Sequence, residues 1–177
     1  MSTAGLVLAA GEGRRFGGPK APFVLGGERL VDRAVRLLHE AGCSPVVVVL
    51  GAWVGEVPDA RVVVNDRWVE GMGSSLRVGL AALEEEPDVD RALVTLVDLV
   101  GLTSPAVHRV LASSADLAAA AYGGERRHPV LLARSRWADA AAVAHGDRGA
   151  RDLLSAADVD LVEVGDLATP DDLDIRP

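Results

Sequence analysis

The sequence predicts a single α/β domain over residues 1–177, a three-layer α/β/α sandwich around a mostly parallel sheet. Three observations predict it. Short, continuously apolar runs recur along the chain. Segments of helical period lie between them. The first run empties into a glycine-rich loop. A strand covered on both faces needs apolar residues on both, which gives unbroken rather than alternating runs. Strands alternating with helices imply βαβ units and hence parallel pairing.

In chain order, the strand candidates are Leu6–Ala10, Val46–Leu50, Val62–Val64, Ala92–Val97, Leu117–Ala121, Val130–Ala133 and Leu161–Val164. Leu117–Ala121 is so rich in alanine that it also reads as helix. Val31, Ala34, Val35 and Leu38 recur at helical spacing, as do Leu76, Leu80 and Leu83. Ser104–Pro105 reads as an N-cap with proline at the first helical position. Thr169-Pro170-Asp171-Asp172 repeats that start, with Asp172 where a capping box wants an acid. The acidic stretch Glu84–Asp90 reads as a solvated loop.

Composition narrows the function. Apolar residues make up 49% of the chain, enough for a sizeable core, and the net charge of −8 argues against a general nucleic-acid binder. Cys43 is the only cysteine, so disulfide frameworks and cysteine metal clusters are excluded. Nothing resembles a nucleophilic triad or zinc-ligand spacing. The start has no basic segment before its apolar run, and that run is far shorter than the ~20 residues needed to span a bilayer. The expectation is a soluble cytoplasmic protein bound to neither membrane nor nucleic acid.

The stretch Leu6 to Lys20 carries the most information. A buried strand runs into a loop with four glycines, two arginines and a lysine. Glycine lets backbone N–H groups approach a phosphate closely, and Arg15 and Lys20 supply countercharge. A dinucleotide fingerprint fails because Phe16 stands where the third glycine belongs, and Asp32, at the right distance for its acid, sits in a helix. A P-loop fails because Pro19 follows Gly18 and no hydroxyl residue follows Lys20. What remains is a phosphate cradle of another kind, or a plain glycine-rich turn.

Other residues carry chemistry by position. Asp98 follows the run Ala92–Val97, at the carboxyl end of a central strand, where open α/β sheets hold ligands. It is a candidate metal ligand, with a turn residue as the plain alternative. Gly71-Met72-Gly73-Ser74-Ser75 precedes a helix, where N–H groups and hydroxyls suit an anion or a base edge. A serine N-cap explains the same residues. Asn65 contacts a nucleotide or stabilises a turn.

The pattern from Leu8 to Lys20, L-A-A-G-x-G-x-R-F-G-x-x-K, resembles the signature loop of nucleotidyltransferases related to the molybdenum cofactor cytidylyl- and guanylyltransferases. Asn65 through Leu76 is similar to the N-x-x-W-x-x-G-M-x-x-S-L segment of the cytidylyl branch. His128-Pro129-Val130 and Gly146 through Arg151 resemble its H-P-V and G-D-x-G-A-R segments. Order and spacing together make the resemblance specific.

The resemblance implies a Rossmann-like fold of the nucleotide-diphospho-sugar transferase type. It implies transfer of a nucleoside monophosphate from an NTP to a phosphorylated acceptor, with release of pyrophosphate. CTP is the favoured donor, GTP the second, and molybdopterin the expected acceptor. Leu8, Ala9, Ala10, Gly11, Gly13, Asn65, Ser74 and Ser75 would bind the nucleotide; Arg15, Lys20 and Asp98 would be catalytic; His128, Asp147 and Arg151 would face the acceptor. Mg²⁺ would sit on Asp98 and Asp166, and molybdoenzyme maturation proteins would be partners.

The chain departs from the pattern in three places. The proline usual one or two residues after Asp98 is missing, Arg127 stands where glycine precedes the histidine, and Ala168 replaces one acid of the D-x-D-T-P-x-D ending. Another acceptor, such as a sugar phosphate or a phospholactate, remains open, as does a nucleotide-binding regulatory or scaffold protein without catalysis.

Overall fold

The computed structural model describes residues 1–156 and 158–177. A seven-stranded sheet runs in the order β5-β4-β1-β6-β8-β7-β9. Its strands are β1 (Thr3–Leu8), β4 (Val46–Leu50), β5 (Arg61–Val64), β6 (Arg91–Leu96), β7 (Leu117–Tyr122), β8 (Glu125–Ala133) and β9 (Asp160–Glu163). The short strands β2 (Val24–Leu25) and β3 (Glu28–Arg29) form a separate hairpin. β1 lies parallel between β4 and β6. Only β8 runs against its neighbours. Gly123 and Gly124, both at positive φ, make the tight turn that reverses the chain into it.

Among the described residues, five α-helices cover the sheet: α1 (Leu30–Glu40), α2 (Met72–Glu84), α3 (Ser104–Leu111), α4 (Trp137–Val143) and α5 (Arg151–Ala156). Side chains alternate along each strand, so each helix layer meets its own half of the sheet. Val7, Val48 and Leu93 pack with Val31, Val35, Leu38, Val107 and Val110 from α1 and α3. Leu6, Val49 and Val94 pack on the other face with Leu76, Leu80, Leu83 and Trp137 from α2 and α4. This is the expected mostly parallel three-layer arrangement.

Four local expectations shift. The first strand ends at Leu8, so Ala9 and Ala10 already belong to the loop. Leu117–Ala121 is strand, because both its faces are covered. Thr103 rather than Ser104 caps α3, its side chain accepting from the Ala106 N–H. Gly71 is the N-cap position of α2, so Met72 through Ser75 form its first turn.

The helix expected after Thr169 does not form. Thr169 N–H donates to the Gly101 carbonyl at 3.1 Å, Gly101 N–H to the Asp171 carbonyl at 3.2 Å, and Leu173 N–H to the Asp98 carbonyl at 3.0 Å. These bonds tie the tail, strand-like, to the loop after β6. Thr169 Oγ1 turns to the Asp171 carboxylate instead of capping.

Candidate active site

The carboxyl ends of β1 and β6 open into a two-part cleft. The first chamber, about 480 Å³, is lined by the glycine loop from Leu8 to Arg14, by Lys20 and Asp98, and by Trp68, Gly71, Met72 and Ser75. The second, about 440 Å³, is lined by Tyr122, His128, Asp147, Arg151, Asp172 and an apolar wall. Leu8, Met72, Leu96 and Asp147 line both, so the chambers are contiguous.

The glycine loop has a defined shape. Gly13 sits at φ +62°, and its carbonyl accepts from the N–H groups of Gly17 (2.8 Å) and Gly18 (3.1 Å). A Cβ there would stand 2.0 Å from the Gly18 oxygen. Only glycine fits that turn. Phe16 anchors the loop, buried and edge-on to Phe23 at 4.8 Å. Arg176 from the tail lies over both rings.

Of the residues expected at the nucleotide, Leu8, Ala9, Ala10, Gly11, Gly13 and Ser75 line the first chamber. Asn65 and Ser74 do not. Asn65 is buried; its amide donates to the hydroxyls of Ser74 (2.8 Å) and Ser75 (3.0 Å) and its oxygen accepts from Arg67 N–H. Ser74 Oγ reaches the carbonyls of Arg67 and Gly71. Both side chains are used up in fastening α2 to the preceding turn. Arg15 also departs from expectation: its side chain is 84% exposed and its nearest acid is Asp174, at 3.9 Å.

The metal expectation needs correction at one position. Asp166 points away, its carboxylate gripped by Arg109, which holds it below the usual carboxylate range. The acids brought to Asp98 are Asp172 and Asp174, with one oxygen from each of the three within 4.8 Å of the others. Lys20 Nζ stands 2.7 Å from Asp98 and 3.7 Å from Asp174. Three carboxylates face the Lys20 ammonium, with the exposed Arg15 guanidinium 3.9 Å from Asp174, so the cluster keeps a net negative charge that suits a cation. Hard oxygen donors in this number suit Mg²⁺ or Mn²⁺. Sequence reading missed Asp172 and Asp174 because Pro170 made the segment look like a helix start. The available signal was three acids, Asp171, Asp172 and Asp174, in a tail without an apolar face.

His128, Asp147 and Arg151, the residues expected at an acceptor, all line the second chamber. Arg126, Arg127 and Arg148 join them there, beside Leu76, Val94, Leu99, Val130 and Leu132. Burial pushes the His128 imidazole down to about 4; Asp98 opposes that shift, while Arg151 and Arg126 add to it. At neutral pH the ring is therefore uncharged and offers an acceptor nitrogen. Gly71, at φ +99°, presses on this region: a Cβ there would meet Asp147 Oδ1 and the Gly146 carbon, both at 2.6 Å.

Backbone amides and a lysine in one chamber, cations over an apolar wall in the next, and acids near their junction define a nucleotide-binding α/β domain with space for a second substrate. The chain belongs to the MobA-like NTP transferase domain family, which it matches over residues 5–161. It is 37% identical to a protein named nicotine blue oxidoreductase from Paenarthrobacter nicotinovorans, across 96% of this chain and 91% of that one. It is 28% identical to a protein named "Probable molybdenum cofactor guanylyltransferase" from Mycobacterium ulcerans, across 95% and 87%.

Among solved structures, the Rv0371c homologue from Mycobacterium sp. strain JC1 superimposes with a TM-score of 0.83 at 28% identity, covering 98% of this chain and 90% of that one. Rv0371c of Mycobacterium tuberculosis, in a complex with manganese, superimposes with a TM-score of 0.75 at 22% identity, covering 93% and 89%. No helix among the described residues is long and apolar enough to cross a membrane.

Proposed function

We propose that this chain transfers a nucleoside monophosphate from an NTP to a phosphorylated acceptor. The observation that carries the reading is the pair of contiguous chambers with Asp98, Asp172 and Asp174 near their junction. The triphosphate lies in the glycine loop, with Lys20 as its countercharge. The acceptor lies in the second chamber, its phosphate drawn by Arg126 and Arg151 and its body against the apolar wall. An acceptor phosphate oxygen forms a bond to the α-phosphorus, the bond to the bridging oxygen breaks, and pyrophosphate leaves. Positioning and charge neutralisation supply most of the rate in such transfers. Mg²⁺ held by Asp98, Asp172 and Asp174 supplies further neutralisation when bound. Neutral His128 accepts a hydrogen bond from the acceptor.

The segment from Asn65 to Leu76, similar to the cytidylyl branch, supplies one wall of the donor chamber, which favours CTP with molybdopterin as acceptor. The relatives named as guanylyltransferases favour GTP. A Mg²⁺-dependent pyrophosphate-release assay over four NTPs and a set of phosphorylated acceptors tests both levels. CTP turnover with a pterin acceptor supports the full reading. Turnover with GTP, or with a sugar phosphate or phospholactate, keeps the class and changes the substrate. Retained NTP binding with no release makes the chain a binding protein.

One observation favours a second reading: the relative at 37% identity carries an oxidoreductase name. The same chambers would then hold a reduced cofactor and an acceptor of its electrons, although the glycine loop lacks the dinucleotide fingerprint at Phe16. Loss of nicotinamide absorbance with a quinonoid dye, without pyrophosphate release, selects that reading.

A further inference from the structure

The loop after β6 carries Asp98 and lacks the proline that the sequence pattern leads one to expect. Its residues are Leu99, Val100 and Gly101, none of which restricts the backbone as proline does. Something else must hold Asp98 in place. Across the loop from the tail stands Arg33 of α1. Its guanidinium donates to three carbonyls of this loop: Leu99 at 3.2 Å, Val100 at 2.9 Å and Leu102 at 2.8 Å. Arg33 lines neither chamber. Its fork is directed wholly at backbone oxygen, and burial lowers its pKa from the usual value. An arginine stays charged even so, and its planar, multiply donating head suits several carbonyls at once.

We propose that Arg33 is the positioning residue for Asp98. It fixes the loop from the α1 side while Leu173, Asp171 and Thr169 fix it from the tail side. The Asp98 carbonyl itself accepts from Val100 N–H at 2.9 Å and Leu173 N–H at 3.0 Å. With its backbone held on both sides, the Asp98 carboxylate stays 2.7 Å from Lys20 and within reach of Asp172 and Asp174. Groups hydrogen-bonded directly to a metal ligand orient it, and losing one typically weakens metal binding ~10–100-fold. Arg33 acts one step further out, through the loop backbone, so the lower end of that range applies.

The fold provides an internal control. Arg134, remote from the cleft, binds three carbonyls in the same manner: Glu86 at 2.7 Å, Val89 at 2.7 Å and Glu84 at 2.9 Å. Arg134→Met removes a comparable set of bonds without touching the Asp98 loop. Arg134→Met also removes the guanidinium stacked 4.9 Å over the Trp137 ring, so it costs at least as much stability as Arg33→Met, while only Arg33→Met should alter the site.

Two readouts on the full chain test the proposal. In metal-free protein, the rate of Lys20 acylation is followed by mass spectrometry. Lys20 is 16% exposed and paired with Asp98, so displacing Asp98 unmasks it. Arg33→Met should raise that rate severalfold and Arg134→Met should leave it unchanged. Mn²⁺ affinity is the second readout and rests on the metal reading given above: Arg33→Met should weaken it by about tenfold or more, Arg134→Met should not. Arg33→Lys keeps the charge but cannot span three carbonyls, and should fall between; it decides the matter if Arg33→Met does not fold. Wild-type protein without Mn²⁺ binding would remove the metal reading, leaving Lys20 acylation to decide. Equal Lys20 rates in wild type and folded Arg33 variants, or an equal rise in Arg134→Met, would overturn the proposal.

Discussion

Replacing Gly13 by alanine tests whether the glycine loop works as a shaped cradle. Gly13 holds φ +62°, a region that costs a residue with a Cβ roughly 1–2 kcal/mol. The new Cβ would also stand 2.0 Å from the Gly18 oxygen, a backbone atom that no side-chain rotation can move. The 13–18 segment must open, breaking the two bonds from Gly17 and Gly18 to the Gly13 carbonyl. At ~1 kcal/mol each, these bring the cost to about 3–4 kcal/mol against the closed loop. Since ~1.4 kcal/mol is tenfold in affinity, NTP binding should weaken by two orders of magnitude or more. Gly11→Ala is the companion: nothing lies within 4 Å of its Cβ position, so the free protein should be as stable as wild type. Calorimetric titration of each variant with CTP and Mg²⁺, alongside a melting curve, measures both quantities. A folded Gly13→Ala protein that binds NTP as wild type does would refute the cradle.

The acids give a second contrast: Asp174→Asn should weaken Mn²⁺ binding at least tenfold, whereas Asp166→Asn should leave it unchanged, since Asp166 pairs with Arg109 outside the cleft. Equal effects would contradict the assignment. His128 makes stability depend on pH. Its folded value is about 4, below the ordinary 6.5, so the unfolded chain binds the extra proton and stability falls as pH drops through that window. Urea unfolding should lose about 1.5 kcal/mol from this group between pH 6.5 and 5, a loss absent in His128→Gln. Cys43, buried with its thiol pushed up to about 12, should resist thiol reagents until the protein is denatured. Rapid stoichiometric labelling of native protein would contradict its placement.

Seven apolar runs marked the seven strands of the main sheet; the pattern is plainest in β1, β4 and β6, buried along nearly their whole length, and weaker in the edge strands β5 and β9, which are half-buried to exposed. That pattern says nothing about direction, so the reversal of β8 had to come from the Gly123–Gly124 turn. The first chamber was legible for a related reason: the glycines that expose backbone along one of its walls are visible in sequence. His128, Asp147 and Arg151, which line the second chamber, were legible through short segments whose spacing resembles a family. The acids were not. Asp172 and Asp174 reach Asp98 only through tail-to-loop hydrogen bonds between residues about 70 positions apart. Thr169-Pro170 carries a strong local signal for a helix, and those distant bonds override it. Arg33 was invisible for the same reason, because its partners are carbonyls, which every residue possesses. Asn65 and Ser74 show the opposite error: polar residues in a recognisable segment, spent on each other.

The central claim is that the α-phosphate of the donor passes to an acceptor held in the second chamber. Incubation with CTP labelled at the α-phosphorus, Mg²⁺ and a phosphorylated pterin acceptor follows that atom directly. Label should appear in the acceptor product, with unlabelled pyrophosphate in equal amount, and both should be lost in Asp98→Ala. Label that stays in the NTP, with each of the four bases and every phosphorylated acceptor tried in turn, would contradict the claim.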